Sequence, residues 1–349
     1  RAPYSAGRHG VMRDAVSRAR DCERKEVVGL VTRESLVAED LQRVRQVLQD
    51  VGKEDNELLV ETIRHLFSRA GKEIRPTLVL LVGQLLTDVG GPLDDHLIDW
   101  GATVQIVHTA SLVHDDTLDH AATRRGAVTV NAGWSGNVAI LVGDYLFAQS
   151  AFMAASLGEL RAMRLLAETI KDLCRGELLQ LSSSFAWDQD ETLYYRKIRN
   201  KTASLLALCT EGAAVLCHAS PEQVAALRAY AVALGMAFQI VDDVLDITGD
   251  ERTIGKPAGS DLRQGTVTLP VIFYLRDLPP GDPRRAVITG EERVDDALAL
   301  LGASPALDEA RGRARAFVAE AKSYLSGFPA SPARQALLEL ADDAVARTY

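Results

Sequence analysis

From residue 33 onward, apolar side chains return every three or four positions, the period of one helix face. Leu36, Val37, Leu41, Val44, Val47 and Leu48 trace such a face over 33–50. Leu58, Leu59, Ile63, Leu66 and Phe67 trace another over 55–70, stopped by Gly71. Helices are predicted next over 75–86, 94–116, 134–156, 159–182, 191–217 and 222–247. Shorter ones follow near 266–276, 292–302, 306–326 and 332–347. The segment 94–116 is apolar around much of its circumference, which predicts a central, buried helix. A polar loop is predicted over 117–132. Pro279-Pro280-Gly281 and Pro329-Ala330-Ser331-Pro332 punctuate the C-terminal third. No heptad array, short repeat or strong domain boundary interrupts the pattern. The prediction is all-α: a single large helical bundle over 31–349, preceded by a loose or partly helical arm over 1–30.

Composition supports helices over sheets, since aromatic residues make up only 5 %. The net charge of -9 argues against a nucleic-acid partner, which would call for a basic stripe. No stretch reaches eighteen uncharged apolar residues, so no transmembrane segment is expected. The start is polar, without the apolar core of a signal peptide. Cys22, Cys174, Cys209 and Cys217 show no C-x-x-C spacing, and a reducing, cytoplasmic setting is the expectation.

Two places carry chemistry. Asp115, Asp116 and Asp119 close one apolar helix, and Asp242, Asp243 and Asp246 repeat the D-D-x-x-D pattern in another. Residues four apart share a helix face, separated by about 6 Å of rise. Carboxylates grouped on an apolar helix repel one another unless cations neutralise them. Oxygen-only ligation suits Mg2+, shared between carboxylates and substrate phosphates. Other aspartate pairs, such as Asp94-Asp95 and Asp342-Asp343, lack the final aspartate.

A phosphorylated substrate also needs fixed cations. Candidates are Lys72, Arg75, Arg124, Arg125, Lys201 and Lys256. Arg124 and Arg125 follow the first cluster directly, and Lys256 follows the second by ten residues. Thr202 adds a hydroxyl beside Lys201, and Gln239 stands nearly one turn before Asp242. His108 and His114 lack the companions of a zinc site.

The ordered motifs GKEIRP, HTASLVHDDTLD, TRRGAVTVNAGW, GDYL, GELLQL, NKTASL, FQIVDDVLD and GKPAGSDLRQGTVTLP resemble those of the trans-isoprenyl diphosphate synthases, the polyprenyl synthetases. The resemblance spans about 33 to 345. It implies an all-helical homodimer with a deep central cavity in each subunit. It implies that an allylic diphosphate ionises and that isopentenyl diphosphate attacks the carbocation head-to-tail. By the same resemblance, Asp115, Asp119 and Asp242 hold Mg2+, three ions in all, with Asp116, Asp243 and Asp246 supporting directly or through water. Arg124, Lys201 and Lys256 would hold the allylic diphosphate. Lys72, Arg75, His108 and Arg125 would form the isopentenyl diphosphate pocket, and Thr202 and Gln239 would line the reaction centre.

Product length is expected to follow the space beside the first cluster. Ala110 and Ser111, one turn before Asp115, are small, and Val107 and Thr103 follow on that face. About three turns, roughly 16 Å, are expected to stand open, which favours products beyond fifteen carbons. Phe147, Phe152 or Met153 could form the floor. The motif wording resembles bacterial long-chain enzymes; a geranylgeranyl or farnesyl product is the alternative. Four positions depart from the usual wording: Glu73 for a basic residue, Thr117 for an aliphatic one, Val128 for Pro and Thr266 for Lys. Two rivals remain. A class I terpene cyclase would not keep both aspartate clusters beside Lys72, Arg75 and Arg125. A non-catalytic subunit of a heteromeric synthase would have lost a cluster.

Overall fold

The computed structural model describes residues 33–53, 56–68, 73–87, 91–124, 126–249, 258–290 and 293–346. The predicted arm over 1–30 lies outside them, as do Lys72, Arg125 and Lys256. The chain begins with α1 (Arg33–Asp50), α2 (Glu57–Phe67) and α3 (Ile74–Thr87), then the long α4 (Asp95–Leu118). A two-stranded hairpin of β1 (Thr123–Arg124) and β2 (Ala127–Val128) leads to α5 (Val130–Gly133). The helices α6 (Gly136–Ser156), α7 (Leu160–Ser182) and α8 (Glu191–Ile198) follow. A π-helical turn over Arg199–Ala203 joins α8 to α9 (Ser204–Leu216). Then come α10 (Pro221–Thr248), α11 (Ser260–Arg263), α12 (Leu269–Arg276), α13 (Pro283–Ile288), α14 (Val294–Gly302), α15 (Ala306–Tyr324) and α16 (Pro332–Ala346).

Polar side chains start the helices where the hydrophobic pattern needs them. Asp94 accepts the His96 N–H at the head of α4, and Ser135 accepts the Val138 N–H at the head of α6. Ser220 and Gln223 form a reciprocal capping box on α10, with Pro221 in the first turn. The polar loop predicted over 117–132 is instead an antiparallel hairpin and one helical turn. Thr123 pairs with Val128 and Arg124 with Ala127, and Gly126 turns the chain at φ +71°.

The long helices α4 and α10 organise the core. The first hydrophobic cluster joins α1, α3, α4, α9, the first half of α10 and α16; the second joins the end of α10 to α12, α14 and α15. Trp100 of α4 is fully buried and donates its indole N–H to the Leu208 carbonyl at 3.3 Å. A Cβ at Gly212 would fall 2.2 Å from the indole ring, so only glycine lets α9 approach α4 there. Tyr230 of α10, also fully buried, donates to the Leu337 carbonyl of α16 at 2.7 Å.

Among the described residues, two helices are long and apolar enough on average to cross a membrane, although no uncharged apolar run in them reaches eighteen residues. By length and composition α6 and α10 both qualify. Asp144 in α6 and Asp242 and Asp243 in α10 interrupt the uncharged runs, yet so few charges leave both windows strongly apolar. In α10, 61 % of that window is buried in the bundle, as befits a core helix; in α6 only 33 % is. Among the described residues the cysteines Cys174, Cys209 and Cys217 are free.

Candidate active site

The first aspartate cluster ends α4. Burial pushes Asp115 up from the usual carboxylate value of 3.8 to about 6, against the pull of Lys201 and Arg124. Asp119, the C-cap residue, is raised as well, first by burial and then by neighbouring carboxylates that include Glu177. Asp116 points inward and is buried. The guanidinium of Arg124, carried by the hairpin, donates from Nε to Asp116 Oδ1 at 2.7 Å, with Nη2 also 2.7 Å away.

The second cluster ends α10 in a more enclosed setting. Asp243 is buried and both its oxygens are engaged. Tyr194 of α8 donates its hydroxyl to Oδ2 at 2.6 Å, and Gln239 Nε2 donates to Oδ1 at 2.8 Å. Burial, then the charge of Asp261, pushes the Asp243 pKa well up, while these two donors pull it down. Asp246 is buried too, and its Oδ2 accepts the Asp261 N–H at 3.1 Å. Asp242 is half-buried.

The π turn stands between the clusters. The continuous helix predicted over 191–217 breaks here, and the wider turn redirects two consecutive side chains. Lys201 Nζ lies 2.6 Å from Glu177 Oε2 of α7 and within electrostatic reach of Asp115 and Asp119. Burial lowers its pKa, but these three carboxylates more than offset that, and the net shift is upward. Thr202 faces the other cluster and donates to Gln239 Oε1 at 2.6 Å. Two glycines make room for this turn. A Cβ at Gly176 of α7 would sit 2.9 Å from the Lys201 backbone nitrogen, and one at Gly235 of α10 would sit 2.5 Å from the Ala203 Cα.

The sequence-derived candidates are therefore brought together in part. Asp115, Asp119, Arg124 and Lys201 share one end of the bundle, and Lys201-Thr202 joins them to Gln239 and Asp243. Arg75 is half-buried in the first turn of α3, near enough to Cys209 of α9 to oppose burial, which pushes that thiol up to about 12. His108 is half-buried on α4. Glu73, read from the sequence as a departure, receives two hydrogen bonds from Arg45 of α1, one of them 2.9 Å. Thr266 donates its backbone N–H to the Asp261 carbonyl at 2.8 Å.

The face of α4 expected to stand open is covered in this structure. Thr103, Val107 and Ala110 have no water-accessible surface; they are packed into the core. The accessible stripe instead runs through Gln105, His108, Ser111, Leu112 and Asp115. The spacing explains it: these positions fall three and four apart, a third of a turn away from the 103–107–110 row. Phe147 packs its ring 5.7 Å from that of His114, next to Asp115, and so stands beside the mouth rather than three turns from it. Phe152 is 68 % exposed, facing outward. A cavity of about 330 Å³ lies behind the π turn, lined by Arg199, Asn200, Glu211 and Arg228; none of the cluster aspartates lines it.

Sequence reasoning missed Glu177, Gln180, Tyr194 and Asp261. Glu177 and Gln180, whose Oε1 lies 3.4 Å from Lys201 Nζ, sit inside GELLQL. The signal there is inverted polarity. Glu177 and Gln180 turn inward, while Leu178 and Leu181 are 66 % and 53 % exposed.

The comparisons with known proteins agree with this geometry. Residues 56–298 match the family model described as polyprenyl synthetase. The chain belongs to the polyprenyl synthetase family. Heptaprenyl diphosphate synthase component 2 of Geobacillus stearothermophilus is 38 % identical over 311 residues, covering 88 % of this chain and 95 % of the relative. Solanesyl diphosphate synthase 1, chloroplastic, of Arabidopsis thaliana is 36 % identical, covering 91 % of this chain and 79 % of the relative. The crystal structure of a polyprenyl synthase from Caulobacter crescentus CB15, complexed with calcium and isoprenyl diphosphate, superposes with a TM-score of 0.85 at 33 % identity. That match covers 91 % of this chain and 97 % of the other. This protein is thus a prenyltransferase of the all-α isoprenoid synthase fold.

Proposed function

We propose that the protein condenses isopentenyl diphosphate head-to-tail with an allylic diphosphate, releasing diphosphate and giving a trans-polyprenyl diphosphate longer than fifteen carbons. The observation that carries this reading is the π turn, which aims Lys201 at the first cluster and Thr202 at the second. Among the described residues no three His, Cys, Asp or Glu side chains form a ready metal cage. The donor set is nonetheless all oxygen, and the elevated pKa of Asp115 marks a charge that a cation would relieve. Asp115, Asp119, Asp242 and Asp246 would hold Mg2+, three ions in all, sharing coordination with substrate oxygens. Bound there, Mg2+ would neutralise charge growing on the departing diphosphate.

The side chains divide the remaining work. Lys201 and Arg124, now engaged by Glu177 and Asp116, are placed to exchange those carboxylates for the allylic diphosphate. When the carbon–oxygen bond breaks, the Thr202 hydroxyl, whose hydrogen is directed at Gln239 Oε1 in a hydrogen bond, can face its lone pairs to the allylic cation. The double bond of isopentenyl diphosphate attacks that cation, and a proton leaves to the released diphosphate. Lys72, Arg75, His108, Arg125 and Lys256 complete the two diphosphate pockets in this reading.

Relatives named for heptaprenyl and solanesyl products support a long chain here. The chain would grow along α4 past Ser111, parting the packing over Ala110 and Val107. Replacing Ser111 or Ala110 with Phe is expected to shorten the product, read by chromatography with primers of ten, fifteen and twenty carbons. Unchanged lengths in both variants would move the channel elsewhere.

A homodimer fits the outer surface. Ile140, Leu141 and Phe152 of α6 and Leu160, Leu178 and Leu181 of α7 expose apolar side chains on adjoining helices. The name "component 2" on one relative raises a second reading, that this chain also works beside a different subunit. Incubating the purified protein alone with labelled isopentenyl diphosphate, a primer and Mg2+ decides between them. Incorporation that stops with chelator and returns with Mg2+ supports autonomous catalysis. Absence of incorporation with every primer would overturn it.

A further inference from the structure

We infer that Tyr194 is a positioning residue for the reaction centre, acting through Asp243 and Gln239 on Thr202; this rests on the proposed condensation. Tyr194 is 2 % exposed, and its hydroxyl reaches across from α8 to α10, donating to Asp243 Oδ2 at 2.6 Å. The other carboxylate oxygen accepts from Gln239 Nε2 at 2.8 Å. Gln239 thus turns its amide nitrogen toward Asp243 and its oxygen toward Thr202. Thr202 then donates to that oxygen, at 2.6 Å. Two bonds therefore share one direction, from Thr202 through Gln239 to the carboxylate, and the Tyr194 bond meets them there from the other side.

Tyr194 fixes the far end of this chain. Its hydroxyl holds one oxygen of Asp243, which fixes the carboxylate plane and hence where the other oxygen meets Gln239. The ring is itself braced, edge-on to Tyr195 with centroids 5.5 Å apart. Tyr194 also lies seven residues before Lys201 in the segment that becomes the π turn, so it ties that turn to α10. With Phe at 194 the ring packing stays but the anchor goes. Asp243 can then rotate, Gln239 loses its fixed facing, and Thr202 no longer presents its oxygen consistently to the developing cation.

The test is Tyr194→Phe, measured in wild-type and Thr202→Ala backgrounds beside the wild-type protein. In the wild-type background kcat is expected to fall roughly 10- to 100-fold, with KM for both diphosphates within about two-fold. In the Thr202→Ala background the same change is expected to cost less than about two-fold, because the residue it serves is already gone. An unchanged kcat, an equal loss in both backgrounds, or a parallel rise of both KM values would overturn the proposal. A Tyr194→Phe protein that does not fold would assign Tyr194 to the scaffold alone and also overturn it. If the wild-type protein elongates no primer, the condensation reading fails and the proposal with it; an active wild type with an indifferent Tyr194→Phe removes only the proposal.

Discussion

The two D-D-x-x-D clusters have the same spelling but different surroundings. At the end of α4, Asp115 and Asp119 are gathered beside a lysine that Glu177 engages, and Asp116 is held by a half-exposed arginine. At the end of α10, Asp243 is locked between Tyr194 and Gln239, and Asp246 accepts a backbone N–H from the segment that follows. The first cluster is built to exchange partners, the second to hold still. In both, the middle aspartate serves the protein: Asp116 steadies Arg124, and Asp243 steadies Gln239.

The largest expected effect comes from severing the link between the clusters. Gly235→Ala drives a methyl to 2.5 Å from the Ala203 Cα, backbone that cannot give way cheaply. Turnover is expected to fall more than about 100-fold, with stability lowered by about 1–3 kcal/mol, read by kinetics and thermal unfolding. A fully active Gly235→Ala would show that the π turn is not clamped.

Next, Asp243→Asn and Asp116→Asn compare the locked and loose positions directly. An amide at 243 sets an N–H against one of two donors in a buried pocket, at a cost of about 2–4 kcal/mol. At 116 the partner Arg124 is 38 % exposed and can turn to water, so about 1 kcal/mol is expected. Equal losses in denaturant melts would erase the contrast.

A third measurement has the opposite sign. Folding raises the Asp115 pKa from 3.8 to about 6, so the native state holds that proton more tightly than the unfolded chain. As pH rises through this window the wild-type protein loses stability. In chelator, Asp115→Asn is therefore expected to be more stable at pH 8, by on the order of 1–3 kcal/mol, with the gap closing toward pH 4. A variant no more stable than wild type at pH 8 would mean that Asp115 is not strained by burial.

The smallest effect concerns the lysine. Glu177→Gln removes the carboxylate 2.6 Å from Lys201. KM for the allylic diphosphate is expected to fall by roughly two- to five-fold, since the released ammonium no longer has to leave a partner. A higher KM would show that Glu177 orients Lys201 rather than competing for it.

Much of this was legible before any coordinates. Helix periodicity located α1, α3, α4, α6, α7 and α10 to within a few residues, because each buries a continuous apolar face. The π turn was not legible, since Arg199–Ala203 continues a good helical pattern and departs from it only under the approach of Gly176 and Gly235. The orientation of GELLQL was misleading for a related reason: its leucines point outward and its polar residues inward, which hydropathy reverses. Tyr194 gave no local sign, because its partner is forty-nine residues away.

The sequence by itself determined the helices, the two acidic clusters and the family, since periodicity and motif spacing are local and survive without neighbours. Only the tertiary structure decided which aspartates are locked and which are loose, where the π turn widens, and which stripe of α4 stays accessible. Those properties arise from burial and from hydrogen bonds between helices distant in the chain, and Asp115 and Asp243 acquire their different characters only when the helices close around them.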